Sequence, residues 1–396
     1  MATYLYLLAF VLPSILGQCT VEKAGPLFSR AVYEFALDLS ERVAQDTENH
    51  FVSSPFSLWT ILTTASFGAD DVTLSELQRV LRHHPHKCFN NRYLDIIRKI
   101  AVSNSETTLE RSSTLFVDKT IPIHEAFQRR LLDTGVCDVM ILPFDNYVTV
   151  ASTINDNVRQ ATHDTIQEVV TPNDIEGVYL LLLDAVYFKG MWKIPFEPSE
   201  TEVTTFYDES TARAGDVNMM FSMKSYDVAS VDQVQATVLD LPYGNGDRFS
   251  MLIFLPYKSG SVTNVTYQLR KVTIKSIYSI FKQNPRETVQ VQIPRFKITS
   301  DLDNLKELLG DMGLRSMFDS HTAQFPHISE YNFYISNVLQ KADVEVTEEG
   351  TVAAAASGVE FEARRMPTSF VANKPFLFMI IDKSNYVPLF IGIHKV

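Results

Sequence analysis

Residues 348–367 read EEGTVAAAASGVEFEARRMP, and no other stretch of the chain says as much about its fold. On composition alone, the four consecutive alanines favour a short helix or a flexible linker. The alternation of Thr351, Ala353, Ala355 and Ser357 favours an extended chain instead, because every second position then lies on one face. Since that face carries only small side chains, the stretch could enter an existing sheet as an added strand without overpacking it.

Motifs elsewhere in the chain accompany this stretch. They are Ser53-Ser54-Pro55-Phe56-Ser57, DAVYFKGMW at 184–192 with Pro195-Phe196 and Thr201, LPY at 241–243, Leu255-Pro256, IPRF at 293–296, FVANKPFLF at 370–378 and LFIG at 389–392. Together with residues 348–367, they resemble the serpins, a family of serine-protease inhibitors. The resemblance covers nearly the whole chain.

The resemblance implies a single-domain α+β fold, the serpin fold, with three β-sheets and about nine helices. It also implies an exposed reactive-centre loop near the C-terminus, at about residues 348–370. A target protease cuts this loop, which then inserts into the main sheet as a strand. The hinge that moves first would consist of Glu348, Glu349, Gly350, Thr351, Val352, Ala353, Ala354, Ala355, Ala356 and Ser357.

The basic pair Arg364-Arg365 would then contain the bond that is cut. Counting as the family does, with Glu348 as the seventeenth residue before the cut, places Arg364 on the acyl side and Arg365 after the bond. Cleavage after Arg365, before Met366, is the adjacent alternative. An arginine at the cut fits a trypsin-like protease, whose primary pocket ends in a carboxylate. Without the resemblance, the pair is a solvated basic pair in a loop.

The family resemblance also assigns a sheet-opening region and a breach. Ser54, Ser57, Asp184 and Gln340 belong to the former, and Trp192 to the latter. Asp184 and Gln340 stand where the family commonly has Asn and His. Because a Gln amide can donate to a buried carboxylate, we expect these two side chains to form a satisfied polar pair.

A third departure from the family pattern is Asn157, which stands at a position where Trp is usual. The exchange removes aromatic packing beneath a helix that must give way during loop insertion. It therefore predicts a weaker clamp on the native sheet.

Hydrophobic periodicity divides the chain into a helix-rich first half and a strand-rich second half. Helices are predicted at Phe28–Leu39, from Pro55 through Phe67 to a stop at Gly68, and around 74–81, 93–100, 125–132 and 154–166. Strands are predicted at 178–188, 250–255, 289–298 and 376–381.

Length and composition set the remaining limits on fold and partners. A length of 396 residues is typical of two or three domains. No linker separates the helix-rich half from the strand-rich half, so one domain is predicted. Hydrophobic residues at 45% exclude disordered and collagenous classes. The formal charge of −12 disfavours nucleic acid as a partner.

The N-terminus reads as a secretory leader, with an apolar run from Leu5 to Leu12 followed by Pro13, Ser14 and Gly17. Cleavage after Gly17 would leave a serpin domain at 18–396 that is secreted and extracellular. A buried N-terminal helix is the alternative. Later apolar runs are too short to span a membrane, so no membrane partner is predicted.

Three further features concern modification and binding. The cysteines Cys19, Cys88 and Cys137 are odd in number, so at least one is unpaired within a monomer. Asn264 is the first residue of the one N-x-Ser/Thr sequon in the sequence. We predict that it lies on an exposed connection and carries a glycan; the alternative is that the sequon is not glycosylated. The tract HHPHKC at 83–88 is weak as a metal site and reads as a solvated loop, so no metal or cofactor is predicted.

Basic residues surround that tract and could bind a heparin-like polyanion, as some members of the family do. The alternative is that they form the solvent-exposed face of a helix. They are Arg79, Arg82, Lys87, Arg92, Arg98 and Lys99.

The leading hypothesis is a secreted, monomeric suicide-substrate inhibitor of trypsin-like serine proteases that forms a covalent complex with its target. A non-inhibitory serpin, acting as carrier, chaperone or storage protein, is the alternative, since fold does not determine function. Its members often carry charged or bulky residues or proline in the inserting stretch, whereas here that stretch is small throughout. An enzyme lacks support, because the chain contains no G-x-S-x-G, H-E-x-x-H or P-loop motif.

Overall fold

The structure is a computed structural model that describes residues 19–48, 50–100, 107–257, 260–284, 286–349 and 368–396. The predicted leader and the stretch from Gly350 to Pro367 lie outside these residues. The predictions for cleavage after Gly17, for the hinge beyond Glu349 and for the reactive bond therefore have no structural counterpart.

Ten α-helices occur in the described residues. They are α1 (Val21–Asp46), α2 (Pro55–Ala65), α3 (Asp71–Val80), α4 (Lys87–Ile100), α5 (Glu125–Thr134), α6 (Tyr147–Ala161), α7 (Pro172–Ile175), α8 (Val262–Gln268), α9 (Ile274–Gln283) and α10 (Leu305–Met312).

Fourteen β-strands are described. They are β1 (Phe51–Ser53), β2 (Thr107–Asp118), β3 (Asp138–Leu142), β4 (Leu180–Gly190), β5 (Glu202–Tyr207), β6 (Arg213–Val231), β7 (Ala236–Tyr243), β8 (Phe249–Pro256), β9 (Glu287–Pro294), β10 (Phe296–Leu302), β11 (Asn337–Val346), β12 (Thr368–Val371), β13 (Phe376–Asp382) and β14 (Val387–His394).

The strands form three sheets, as the resemblance implies. A five-stranded sheet has the order β10-β11-β4-β2-β3. The other two sheets share the long strand β6, whose last residues, Asp227–Val231, pair with β7 and whose earlier part pairs with β5 and β9. One of them continues from β7 through β8, β13 and β14 to β1, and the other ends at β12.

The predicted helices are present, with shifted ends. Helix α2 begins as expected, with Ser54 as N-cap accepting from the Ser57 amide and Pro55 in the first turn, but it ends at Ala65. Gly68 is therefore not its stop. A Cβ at Gly68 would lie 2.0 Å from the Ile328 side chain, so the glycine allows close packing.

Two strand predictions need correction. The run 289–298 is not one strand, because the chain turns at Arg295 and its two parts, β9 and β10, belong to different sheets. The helix-rich first half also contains the twelve-residue strand β2, whose polar sequence TTLERSSTLFVD lacks clear alternation. The predictions at 178–188, 250–255 and 376–381 are confirmed by β4, β8 and β13.

The cysteine count is resolved as one disulfide and one thiol. Cys19 bonds to Cys88, and Cys137 is free and buried. Burial raises the pKa of the Cys137 thiol to about 12, so it is not a reactive thiolate at neutral pH.

The interpretation of the tract 83–88 as a solvated loop was wrong in part. The His83 ring packs edge-on against Trp59, and its Nε2 lies 3.1 Å from the Thr63 hydroxyl. Burial lowers the pKa of His83 to about 4. Within the described residues, no group of histidine, cysteine and acidic side chains could hold a metal ion.

The sequon prediction also needs correction, because Asn264 does not lie on an exposed connection. It lies in the first turn of α8 and donates to the Gln235 side chain at 2.7 Å, and Thr266 is buried. Glycosylation of Asn264 stays a prediction. No helix in the described part of the chain is long and apolar enough to cross a membrane.

A buried imidazole lies near the C-terminus, at the end of β14. His394 stacks on Phe296 with ring centroids 4.7 Å apart, and Phe206 and Phe376 lie against it. Among the residues that the structure describes, neither ring nitrogen has a hydrogen-bond partner. Burial, with a smaller contribution from His50, lowers the pKa of His394 from 6.5 to about 3. The protein therefore folds with this imidazole neutral.

Because the pKa of His394 is lowered in the folded state, we expect the free energy of unfolding to fall in acid. Since the folded-state pKa lies below the unfolded value, the contribution of His394 is complete above pH 6.5 and is lost as pH falls from there towards 3. At pH 5 the loss amounts to about 2 kcal/mol. We expect His394→Phe to remove this part of the pH dependence in urea unfolding at pH 8 and pH 5. His321→Asn, at an exposed histidine, is the control and should change little.

Candidate functional site

The candidate site is the boundary between β4 and β11 in the five-stranded sheet. These two neighbouring strands run parallel and pair from Asn337↔Leu181 to Val344↔Phe188. After β11 the chain continues through Thr347, Glu348 and Glu349 into the stretch quoted above, and it is next described at β12 in another sheet. We call the boundary between β4 and β11 the seam. Residues 348–367 therefore start at one end of the seam.

A buried polar cluster lies at the middle of the seam, and it contains the four residues assigned to the sheet-opening region. Gln340 and Asp184 are register partners on β11 and β4. The Gln340 amide donates to the Asp184 carboxylate at 2.7 Å, so the expected polar contact is present. The Ser57 hydroxyl donates to the same carboxylate.

The cluster also connects the seam to the chain just before α2. Gln340 accepts from the Ser54 amide and donates to the Ser54 carbonyl, both at 2.9 Å. The Ser54 hydroxyl donates to the Leu389 carbonyl at 2.8 Å. Sequence reasoning missed one member, Ser113 on β2, whose hydroxyl donates to Asp184 at 2.6 Å. It faces Asp184 in the strand register, which a lone serine in β2 does not reveal.

The Asp184 carboxyl has an unusual ionisation. Burial raises its pKa above the ordinary value, and hydrogen bonds from Ser113, Ser57 and Gln340, together with the charge of Arg111, oppose that shift. The carboxyl thus depends on its donors, because a buried charge without them is costly.

This dependence predicts a large effect for Gln340→Leu. The change leaves Asp184 short of one donor and the buried Ser54 amide without its acceptor, and each loss costs about 1–3 kcal/mol. The Ser54 carbonyl keeps its hydrogen bond from the Leu58 amide. We expect the free energy of unfolding to fall by about 2–4 kcal/mol in urea titrations. Lys341→Ala, the next position on β11, loses surface contacts to Asp301 and Glu168 and should cost under about 1 kcal/mol. Equal effects of the two substitutions would contradict the role of the cluster.

The upper end of the seam is held at Glu348, which is buried. The Thr201 hydroxyl donates to its carboxylate at 2.8 Å, and the Arg295 guanidinium lies 3.6 Å away. The Glu348 carbonyl accepts from the Phe196 amide at 3.0 Å. The start of the hinge is therefore attached to the body of the protein through both its side chain and its backbone.

Trp192, assigned to the breach, lies beside this attachment. Its indole N–H donates to the Thr347 carbonyl at 2.8 Å, and its ring stacks on Tyr243 with centroids 4.3 Å apart. The Tyr243 ring also lies close to the backbone of Gly190, where a Cβ would lie 2.5 Å from the ring, so a glycine leaves room for it. The Trp192 ring thus fixes the point at which the chain leaves β11.

Helix α6 covers the lower part of the seam. Its buried side chains Val150, Ile154 and Val158 belong to a small core with Leu181, Leu183 and Leu339 of the seam strands. Asn157, the third departure, accepts from the Ser112 hydroxyl of β2 at 3.3 Å. A weak polar contact therefore stands where an aromatic ring was the family expectation.

Most of the basic residues near α4 have structural partners. Arg82 bonds to Glu34 and Asp38, Arg79 to the Gly313 carbonyl, and Arg98 to the Thr134 carbonyl and Asp95. Arg92 also pairs with Asp95. Lys87 and Lys99 are exposed.

The fold and the seam define a class of protein in which a long chain segment begins where two parallel strands of the main sheet could part. Comparisons with known proteins agree with this class. The profile of the family described as "Serpin (serine protease inhibitor)" matches residues 30–395.

Individual relatives match over almost the full length. Human glia-derived nexin is 31% identical over 400 residues, covering 98% of this chain and 97% of the relative. Intracellular coagulation inhibitor 2 of Tachypleus tridentatus is 30% identical, covering 91% and 89%. The crystal structure of native protease nexin-1 with heparin has a TM-score of 0.81 at 29% identity, covering 95% of this chain and all of that one. This chain belongs to the serpin family.

Proposed function

We propose that this serpin is a secreted suicide-substrate inhibitor of trypsin-like serine proteases. The observation that carries the proposal is the uninterrupted parallel pairing of β4 with β11, directly below the attachment of Glu348. A chain that turns back from Glu348 into the seam runs antiparallel to both strands. It therefore replaces one parallel ladder by two antiparallel ones, which are slightly more stable per residue.

The length of the stretch supports trapping of the protease. Residues 351–364 number fourteen, and at ~3.3 Å per residue their insertion would carry an attached protease ~46 Å across the inhibitor. Because a displacement of ~1 Å at a catalytic centre can cost orders of magnitude in rate, pulling on the acylated serine is sufficient to stop deacylation. The inhibitor would act once, without catalysing a reaction.

The proposed target class follows from Arg364. A guanidinium can form a bidentate, charge-assisted pair with a carboxylate in the protease's primary pocket, which neutral residues cannot do. Proposed secretion is supported by the leader sequence and by the Cys19–Cys88 disulfide, since disulfides persist mainly in oxidising compartments.

A heparin-like polyanion is a second proposed partner, on the evidence of the relative whose structure contains heparin. The exposed cations of α4 are the side chains to test, and they are Lys87, Arg92, Arg98 and Lys99. Their number is small, and Arg92 already has an acidic partner, so we expect weak binding with a shallow dependence on salt.

The direct test of the proposed function is incubation with trypsin followed by denaturing electrophoresis. A covalent complex that survives boiling is expected, with a band at the summed mass of the two proteins less the released C-terminal fragment. Clean cleavage without a complex would overturn the proposal in favour of a non-inhibitory serpin.

A further inference from the structure

Residues 248–286 differ in charge from the rest of the chain. This segment contains seven cationic side chains and no aspartate or glutamate, in a protein whose formal charge is −12. Five of the seven cations fall in its last seventeen residues, at Arg270, Lys271, Lys275, Lys282 and Arg286. We call these five side chains the basic stripe. The proposed inhibitory mechanism does not use them.

The basic stripe lies along α9 and the turns at its two ends. All five side chains belong to exposed residues. Lys275 and Lys282 are seven residues apart on α9, so they lie on one face of the helix, about 10 Å apart along its axis. The opposite face, with Ile274, Ile277 and Phe281, is buried. The stripe therefore presents a row of positive charges to solvent.

The members of the stripe differ in their partners. The two arginines form ion pairs with acidic side chains, and these pairs are Arg270 with Asp38 and Glu41, and Arg286 with Asp227. The three lysines have no such partner, since no carboxylate in the described part of the chain lies within ion-pair distance of their ammonium groups. An anion that binds Lys271, Lys275 and Lys282 therefore breaks no existing ion pair.

A cavity of about 980 Å³ opens beside the stripe, between α1 and the first turn of α9. Its walls carry Lys271, Lys275 and three arginines, whereas they carry only two carboxylates, Glu22 and Glu34. Glu34 is already paired with two of these arginines. Tyr386 and other apolar side chains complete the walls. The cavity suits a sulfated sugar unit, because the C–H faces of its ring are apolar and its sulfates are anionic.

A sulfated polysaccharide fits this surface better than an anionic membrane does. Peripheral helices bind a bilayer through cations and also through apolar side chains that enter the interface. The apolar side chains Ile274, Ile277 and Phe281 of α9 are buried in the protein, so they are not available for that role. A linear polyanion needs only a row of cations, because the release of its counterions drives binding. The N-terminal end of α9 lies within the row, and its dipole also favours an anion.

We propose that the basic stripe binds a sulfated polysaccharide, with sulfate groups on Lys271, Lys275 and Lys282 and a sugar unit in the adjoining cavity. The inference rests on the polyanion partner proposed above, and it assigns the stronger contacts to α9. On α4, by comparison, two of the four exposed cations share the carboxylate of Asp95. The two surfaces have no side chain in common, so substitutions can separate them.

Isothermal titration calorimetry with the full-length protein tests the class of ligand. We expect saturable binding of heparin and at least about tenfold weaker binding of hyaluronan, which carries carboxylates but no sulfates. Vesicles that contain phosphatidylserine should not sediment the protein. Equal binding of heparin and hyaluronan would overturn the assignment to sulfate groups. Sedimentation with the vesicles that depends on the three lysines would overturn the polysaccharide in favour of a membrane.

A triple variant tests the position of the site. The combined changes Lys271→Gln, Lys275→Gln and Lys282→Gln should weaken heparin binding at least about tenfold and make it less dependent on salt, because three ionic contacts are lost. Thermal unfolding should be unchanged, since the three lysines are exposed and have no carboxylate partner among the described residues. Complex formation with trypsin in the absence of heparin should also be unchanged.

The matched control removes the same charge from α4, with Lys87→Gln, Arg92→Gln and Lys99→Gln, and should weaken heparin binding less than about threefold. If the α4 variant loses as much affinity as the α9 variant, or more, the assignment to the basic stripe is wrong and the polyanion partner stands. Absence of heparin binding to the wild-type protein would overturn both. The trypsin assay without heparin reports on the proposed inhibition independently of either outcome.

Discussion

Ala353→Glu is expected to convert this serpin from an inhibitor into a substrate of its target protease. Ala353 lies on the face of the stretch that alternates Thr351, Ala353, Ala355 and Ser357, and insertion would bury that face against the core. A carboxylate there would be buried without a partner, at a cost of several kcal/mol. Insertion would slow while deacylation continues at its normal rate. Denaturing electrophoresis with trypsin should show cleaved protein and less than about a tenth of the wild-type complex.

The matched control is Ala354→Glu, which places the same charge one residue further along. In a strand, Ala354 points to the opposite, solvent-facing side of the sheet, so its carboxylate stays hydrated. We expect most of the complex to survive in this variant. If both variants lose the complex equally, a charge in the hinge is harmful on either face. That outcome would contradict insertion with one buried face and one solvent-exposed face.

Arg364→Ala is expected to remove most of the inhibition of trypsin-like proteases. The change removes the guanidinium that pairs with the carboxylate in the primary pocket, and truncating a buried charged partner costs about 2–5 kcal/mol. The second-order rate constant of inhibition should therefore fall by roughly two to three orders of magnitude. The fold should be unaffected, and unchanged thermal unfolding checks this point.

Arg365→Ala separates the two candidate bonds. If cleavage follows Arg364, this variant keeps inhibition within about tenfold, because its charge lies beyond the cut and outside the primary pocket. Mass spectrometry of the released C-terminal fragment gives the same answer independently. A fragment that begins at Met366 would overturn the Arg364 assignment.

The positions of the main elements could be predicted because their patterns are local. The apolar face of α1 and the continuous apolar run of β4 follow from single windows of sequence. The contact between Asp184 and Gln340 was expected from their complementary groups. Each of these features rests on the residues themselves or on a motif that they match.

The rest depended on contacts between distant residues. Strand β2 is polar in sequence and is stabilised by antiparallel pairing with β4, about 70 residues further on. The corner at Arg295 sends two strands to different sheets, although the local pattern favours one strand.

The Cys19–Cys88 disulfide has a practical consequence for all of these experiments. It closes a covalent ring that contains α1, β1, α2 and α3. A protease that nicks an exposed turn inside this ring leaves both fragments joined, so the nick is invisible on a non-reducing gel and appears only after reduction. Cleavage at residues 348–367 lies outside the ring and frees its fragment on any denaturing gel. Paired reduced and non-reduced lanes therefore distinguish incidental proteolysis from cleavage of the loop.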